Sequence, residues 1–138
     1  MPANDLEAAR AYLRALDLTY IAEAMCSDYY PLPRWTPQDA AHCLQLYKNF
    51  LWLHKIHPGT PFVPTREIDE FWHHHILYTK NYLRDCQQIF GHYLHHQPAK
   101  PGENDGELAD HYARTKELYL LEFKQPLSLI IDLSATTA

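Results

Sequence analysis

Three features of the chain predict an all-α fold, a compact bundle of about four to five helices with a short extended C-terminal tail. Apolar residues recur at helical spacing through most of the 138 residues. Prolines and glycines stand mainly between these periodic stretches. The one β-like stretch, LSLIIDLSATTA at the C-terminus, has no visible partner strand. With 46% apolar residues, the length predicts one helical domain over residues 1–138.

The first half of the chain predicts two helices. Residues 6–24 carry an apolar stripe behind Asn4 or Asp5 as N-cap, and the pattern allows a break near Asp17. Residues 28–37 hold three prolines and predict an ordered connection. Thr36 then caps a second helix, which runs to about His57 and is stopped by Pro58 and Gly59.

The second half predicts two further helical segments and the tail. Thr65 caps a stretch that reaches Gly91, either as one long helix or as two helices with a bend near Thr79. The polar segment 97–107 reads as a loop, and a fourth helix follows, ended by Pro126. In the tail we expect Leu127, Leu129 and Ile131 to dock on the bundle or fray.

Charge and cysteine usage exclude several classes of function. Lys and Arg number 12 against 17 Asp and Glu, a formal charge of −5, which argues against nucleic acid as a partner. The amphipathic N-terminus does not resemble a signal peptide, and no apolar run is long enough to span a membrane. The three cysteines contain no CxxC pair, which favours a reducing compartment and a cytoplasmic location.

Six of the ten histidines lie between His73 and His96, and imidazole is the commonest ligand for transition metals in proteins. Asp69 and His73 are four residues apart and share a helix face. The carboxylate can therefore bind an ion beside the imidazole or hold its second ring nitrogen. His73 and His75 point about 200° apart around a helix and should have separate roles.

The apolar stripe predicts that His75 is buried, with either a hydrogen-bond partner or a metal. His54 and His111 hold equivalent positions on the second and fourth helices, so the three imidazoles could converge on a bundle-core metal site. The alternative is that each is a satisfied core histidine. His95 and His96 follow Gly91 and diverge in direction, so we expect one to complete a site with Asp69 and His73.

The stretch from 69 to 98 reads DxFWHxHILxTxxYxxDCxxxFGxxLHHxP and resembles the glycine-rich domain-containing protein-like family. The likeness covers about thirty residues, with a weaker match in the lead-in FVPTREI, so we take 65–98 as the motif core. The resemblance implies that His73, His75, His95 and His96 belong to the motif, whereas His74 and His92 do not. It carries over no role tied to a glycine-rich region, because this chain has only four glycines.

The first functional hypothesis is a divalent-metal-binding protein, and in its strongest form a small metalloenzyme. The candidate ligands are Asp69, His73, His75, His95 and His96, and such nitrogen and carboxylate donors suit zinc or iron. Tyr82, Asp85 and Tyr93 are candidate acid or base groups nearby. No HExxH or CxxC spacing fixes a geometry, so the reaction stays open, and the partner is an unknown small molecule or protein.

The second hypothesis is a non-catalytic interaction module with a structural histidine network. Tyr29, Tyr30 and Trp35, which lie among prolines, would then form its contact patch. A pH-responsive domain is a third reading, because the histidines are numerous.

Overall fold

The computed structural model describes residues 3–27, 35–97 and 105–130. Within them the chain forms six α-helices and no strand, which confirms the all-α prediction. The helices are α1 (Ala3–Ala15), α2 (Thr19–Met25), α3 (Pro37–Ile56), α4 (Arg66–Leu77), α5 (Thr79–Phe90) and α6 (Asp105–Phe123). There are six rather than four to five because two of the predicted segments are each divided in two.

The first division lies at Asp17, where the sequence pattern allowed a break. Oδ1 of Asp17 accepts hydrogen bonds from the backbone N–H of Thr19 at 2.9 Å and from its hydroxyl at 2.6 Å. These bonds satisfy donors that a helix start leaves unpaired. Leu18, between the two residues, is buried and anchors the turn in the core.

Helix α3 begins and ends where the sequence predicts. The Thr36 hydroxyl accepts a hydrogen bond from the backbone N–H of Asp39 at 3.1 Å, and Pro37 occupies the first helical position. The helix ends at Ile56, before a turn in which Gly59 adopts a positive φ of 86°. It packs against α1, α2, α4 and α6 and forms the centre of the bundle.

The second division separates α4 from α5 at Tyr78, beside the predicted bend at Thr79. Tyr78 leaves helical geometry with φ −84° and ψ 71°, and its backbone N–H bonds the carbonyl of His75. The chain therefore turns, and α4 and α5 pack on each other. Helix α5 ends at Gly91 in the left-handed region, with φ 77°.

The described part of the tail is extended and partly docked. Leu127 is buried, and the backbone N–H of Ile130 donates to Oε1 of the buried Glu67 at 2.6 Å. Leu129 is exposed, and Ile131 lies outside the described residues.

The structure bears on two sequence-based expectations, which concern membrane-spanning segments and disulfide bonds. Across the described ranges, no helix combines the length and the apolar character that crossing a membrane requires. All three cysteines, at positions 26, 43 and 86, are free thiols.

Candidate functional site

His75 lies in the core and bonds protein groups through both ring nitrogens. Its Nδ1 is 2.6 Å from the Tyr47 hydroxyl, and its Nε2 is 2.8 Å from Oδ2 of Asp85. Because the carboxylate only accepts, Nε2 carries a proton and donates it, and Nδ1 accepts from Tyr47. The predicted burial of His75 is confirmed, and in this arrangement neither nitrogen is left for a metal ion.

The Asp85 carboxylate has further partners. The Tyr12 hydroxyl donates to Oδ1 at 2.6 Å, and Nε of Arg84 donates to the same oxygen at 3.2 Å. Burial alone would raise the pKa of Asp85, but the hydrogen bonds from His75 and Tyr12, with the charge of Arg84, bring it below its usual value. Asp85 is therefore an anion held in the core by paired donors.

A second set of contacts joins α4, α5 and the segment after Gly91. The indole N–H of Trp72 donates to the Tyr82 hydroxyl at 2.9 Å, and that hydroxyl donates to the carbonyl of Leu94. Burial raises the pKa of Tyr82 far above its ordinary value, so the phenol stays protonated. Tyr82, a predicted acid–base candidate, is thus engaged on both sides within the core.

Asp69 and His96, two members of the predicted metal-ligand set, lie in direct contact. Nε2 of His96 lies 2.5 Å from Oδ1 of Asp69, and the imidazole stacks on Trp72 with ring centroids 4.1 Å apart. The His96 side chain is 13% exposed and the Asp69 side chain 49%. The sequence pattern paired Asp69 with His73 along α4, whereas the structure pairs it with His96 from the following segment.

The Asp69–His96 pair stands in the wall of a cavity of about 700 Å³, which we call the Trp72 pocket. The remainder of the wall is mostly apolar. It includes Phe62, Val63, Trp72, Leu94 and Leu108, with Arg66, His54 and His95 as further polar members. The helix α4, the connector after α3, the segment after α5 and the start of α6 thus all contribute to one pocket.

His54 forms an aromatic part of that wall. Its ring makes edge contacts with Phe50 and Phe62, with centroids 4.8 and 5.0 Å away, and lies 5.8 Å from Trp72. Nε2 is buried and has no hydrogen-bond partner among the described residues. Burial, helped by the charge of His96, lowers the pKa of His54 to about 4, so the ring is neutral near pH 7.

The remaining predicted ligands lie apart or at the rim. His95 also lines the Trp72 pocket, but it is exposed and its ring rests against Tyr93. His73 is exposed, and its ring contacts His74. Across the described ranges, no three His, Cys, Asp or Glu side chains are arranged to hold a metal ion.

The sequence left open whether His54, His75 and His111 converge or are separate core histidines, and the structure places them apart. His54 lines the Trp72 pocket, whereas His75 belongs to the network with Asp85, and His111 is not part of the pocket wall. In the contact patch of the interaction hypothesis, Trp35 is buried and offers no free surface. Tyr29 and Tyr30 lie outside the described residues.

Sequence reasoning did not assign Tyr12 and Tyr47 to the histidine network. Tyr47 lies on the apolar stripe of α3. Because a buried imidazole requires polar partners, a tyrosine on the stripe of a facing helix could have been predicted as the hydrogen-bond partner of His75. Tyr12 meets Asp85 across 73 residues of sequence, a contact that no local pattern indicates.

Comparison with known proteins gives a family match. The model of the UCP032817-like family matches residues 9–114, which include α2 to α5 and the Trp72 pocket. The curated proteins and the solved structures give no significant match.

Proposed function

Because the chain belongs to the UCP032817-like family, whose description states no activity, we propose a function from the geometry of its pocket. The domain binds a small, largely apolar molecule in the Trp72 pocket. A hydroxyl or N–H group of that molecule donates a hydrogen bond to Nδ1 of His96.

The single observation that carries this proposal is the Asp69–His96 contact. The carboxylate 2.5 Å from Nε2 fixes the ring proton on that nitrogen. In the neutral ring Nδ1 is then an acceptor. Among the described residues, no group donates a hydrogen bond to it. A fixed acceptor in the wall of a cavity is what a ligand with one donor group requires.

The size and lining of the pocket support the same class of ligand. A volume of about 700 Å³ lies within the range of about 300–1,000 Å³ that is usual for small-molecule sites. Such sites are mostly apolar and aromatic, with a few placed polar groups that set orientation. Here Phe62, Trp72 and Leu94 supply apolar wall, while His96 supplies the placed acceptor.

The Asp69–His96 pair is also suited to general acid–base catalysis. A carboxylate on one ring nitrogen fixes the tautomer and keeps the ring oriented. Nδ1 of His96 can therefore take a proton from a bound hydroxyl group as well as accept its hydrogen bond. An enzymatic role would use this step, and His96 would be its base.

The test compares two probes of similar shape, cyclohexanol and cyclohexanone, of which only the alcohol can donate. We expect the alcohol to shift the NMR signals of the Trp72 indole and the His96 ring at lower concentration than the ketone. His96→Gln should remove this preference, whereas the matched variant His73→Gln, at an exposed position outside the pocket wall, should keep it. Equal shifts from both probes in the wild type, or an unchanged preference in His96→Gln, would contradict the proposal.

A divalent metal, zinc or iron, is a second candidate ligand for the same nitrogen. The observation that favours it is again the carboxylate on Nε2, because metal-binding histidines commonly donate their other ring N–H to a carboxylate. If the ligand is a metal ion, His95 and His96 bind it and Asp69 orients the His96 ring. His73 and His75 are then not required. A catalytic zinc usually takes three protein ligands, so such a site would have to recruit one more donor.

Elemental analysis of protein expressed without a histidine tag tests the metal candidate. A stoichiometric ion that disappears in both His95→Ala and His96→Ala, and stays in His73→Ala, would support it. Metal-free folded protein after incubation with zinc and with iron would exclude it.

Two wider assignments also belong to this proposal. We place residues 65–98 with the glycine-rich domain-containing protein-like family. In support, motif residues contact one another in pairs ten residues apart, Trp72 with Tyr82 and His75 with Asp85.

We also propose a cytoplasmic location, which three unpaired thiols support.

A further inference from the structure

Three cationic side chains face a second cavity, remote in sequence from the histidine motif. The cavity has a volume of about 330 Å³ and lies between α1, α3 and the end of α6. Its cations are Arg10, Arg14 and Lys48, and none of its lining residues is acidic. In a chain with a formal charge of −5, such a concentration of positive charge needs an explanation.

The helices bring these three residues to one place. Arg10 and Arg14 are four residues apart on α1 and therefore share a face. Lys48 reaches the cavity from α3, where its Nζ donates to the carbonyl of Leu16 at 2.5 Å. That bond uses one of its three donors and fixes the position of the ammonium group.

Neighbouring carboxylates balance only part of this charge. Asp17 interacts electrostatically with Lys48, and Glu122 is 3.4 Å from the indole nitrogen of Trp52. Within the described residues, the ion pairs that Lys55, Arg84 and Arg114 form do not include any of the three cavity cations. Like charges on adjacent helix turns repel each other, so an anion in the cavity would remove an unfavourable interaction.

The wall of the cavity also contains apolar side chains. Trp52 is largely buried, with 8% of the residue exposed, and the guanidinium carbon of Arg10 lies over its ring, 5.1 Å from the centre. Leu13 and Phe123 line the cavity as well. An apolar group of an occupant could therefore contact Phe123 and the edge of Trp52 beside Arg10, with its charge among the cations.

We propose that this cavity, the Trp52 pocket, binds a small molecule in which a phosphate group is attached to a flat apolar part. A phosphate dianion matches several cations better than a single carboxylate charge does, and its oxygens accept the paired N–H groups of arginine. The site is distinct from the Trp72 pocket and does not depend on the function proposed for it. The two pockets have no lining residue in common.

The experiment titrates the full chain with phenyl phosphate, inorganic phosphate and phenol, and follows the indole N–H signals of the three tryptophans by NMR. The signal of Trp52 is the reporter, and the signal of Trp72 shows whether a probe enters the other pocket. We expect phenyl phosphate to shift Trp52 with a Kd in the millimolar range or below. Inorganic phosphate, which lacks the ring, should bind more weakly, and phenol should leave Trp52 unchanged.

The variant Arg10→Gln/Arg14→Gln should weaken phenyl phosphate binding at least about tenfold, the loss of about 1.4 kcal/mol. Both arginines are exposed, so the double variant should fold, as circular dichroism would show. Arg114→Gln removes an exposed arginine of α6 outside the cavity and should bind like the wild type. The proposal is overturned if phenyl phosphate does not shift Trp52, if phenol shifts it equally, or if the two variants lose the same affinity.

Discussion

The imidazole of His96 lies almost parallel to the indole of Trp72, with ring planes inclined by 14° and centroids 4.1 Å apart. Trp72 is itself fixed, because its N–H donates to Tyr82. The irregular segment after Gly91 is thereby held against α4 by a stacked ring pair as well as by the Asp69 carboxylate. The proposed acceptor thus rests on a rigid part of the core.

Replacement of His96 should show how much its stacking on Trp72 contributes to the free energy of unfolding. We expect His96→Ala to lower the free energy of unfolding by about 1–2 kcal/mol, since a stacked aromatic contact contributes about 0.5–1.5 kcal/mol beyond the buried area. His95→Ala, at the exposed neighbouring position, should change it by less than about 0.5 kcal/mol. Urea denaturation measures both, and equal losses would show that the stack does not hold the segment.

Loss of His75 should be the most damaging histidine substitution. His75→Ala removes a donor to the buried Asp85 carboxylate and leaves the Tyr47 hydroxyl without its partner. Each buried polar group left without its partner costs about 1–3 kcal/mol, and more when it is charged, so we expect a loss of about 3–5 kcal/mol in urea denaturation.

His73→Ala is the matched control for that measurement, because its ring is exposed two positions earlier on the same helix. We expect a change of less than about 0.5 kcal/mol. A loss below about 1 kcal/mol in His75→Ala would mean that the network contributes little to stability.

His54 should make stability depend on pH in a defined window. Its pKa is about 4 in the folded protein against 6.5 ordinarily, because its ring is buried. As the pH falls, the unfolded chain therefore binds a proton first. Stability is lost between about pH 6.5 and pH 4, by up to about 3 kcal/mol from this group, and no further below that.

The variant His54→Phe tests this origin, since Phe keeps the aromatic contacts and removes both the titrating group and the unpaired Nε2. We expect the difference in unfolding free energy between pH 7 and pH 4.5 to be smaller than in the wild type. An equal difference in both proteins would assign the pH dependence to other groups.

Glu67 should control the docking of the C-terminal segment. Its Oε1 accepts the Ile130 N–H at 2.6 Å from a buried position. In Glu67→Ala we expect the Ile130 amide to exchange with solvent hydrogen at least about tenfold faster, because local opening no longer breaks this bond. The amide of Leu53, in the middle of the core, serves as the internal reference. Unchanged exchange at Ile130 would show that Leu127 alone holds the segment.

The sequence was sufficient to predict the helical elements. Thr36 and Thr65 cap α3 and α4 as expected, because capping depends on residues within one turn. At Asp17 and near Thr79 the sequence allowed either one helix or two. Tertiary packing favours two helices at both positions. Periodicity alone could not choose, since a broken and an unbroken helix present the same apolar stripe.

The candidate site was only partly predictable. Burial of His75 followed from its stripe. One of His95 and His96 was expected to complete a site with Asp69 and His73, and the structure brings His96 to Asp69. Asp69 and His73 share a helix face, as the sequence indicates, but in the structure the Asp69 carboxylate bonds the His96 ring. The segment after Gly91 brings His96 to Asp69, and loop geometry of this kind is not encoded in local patterns.

The most direct test of the central claim is the protonation of the His96 ring, read from the ¹⁵N signals of its two nitrogens at about pH 8, where histidine is neutral. We expect a proton on Nε2, an unprotonated Nδ1, and a shift of the Nδ1 signal when cyclohexanol is added. A proton on Nδ1, or an Nδ1 signal that cyclohexanol leaves unmoved, would contradict the claim that His96 is the acceptor of the Trp72 pocket.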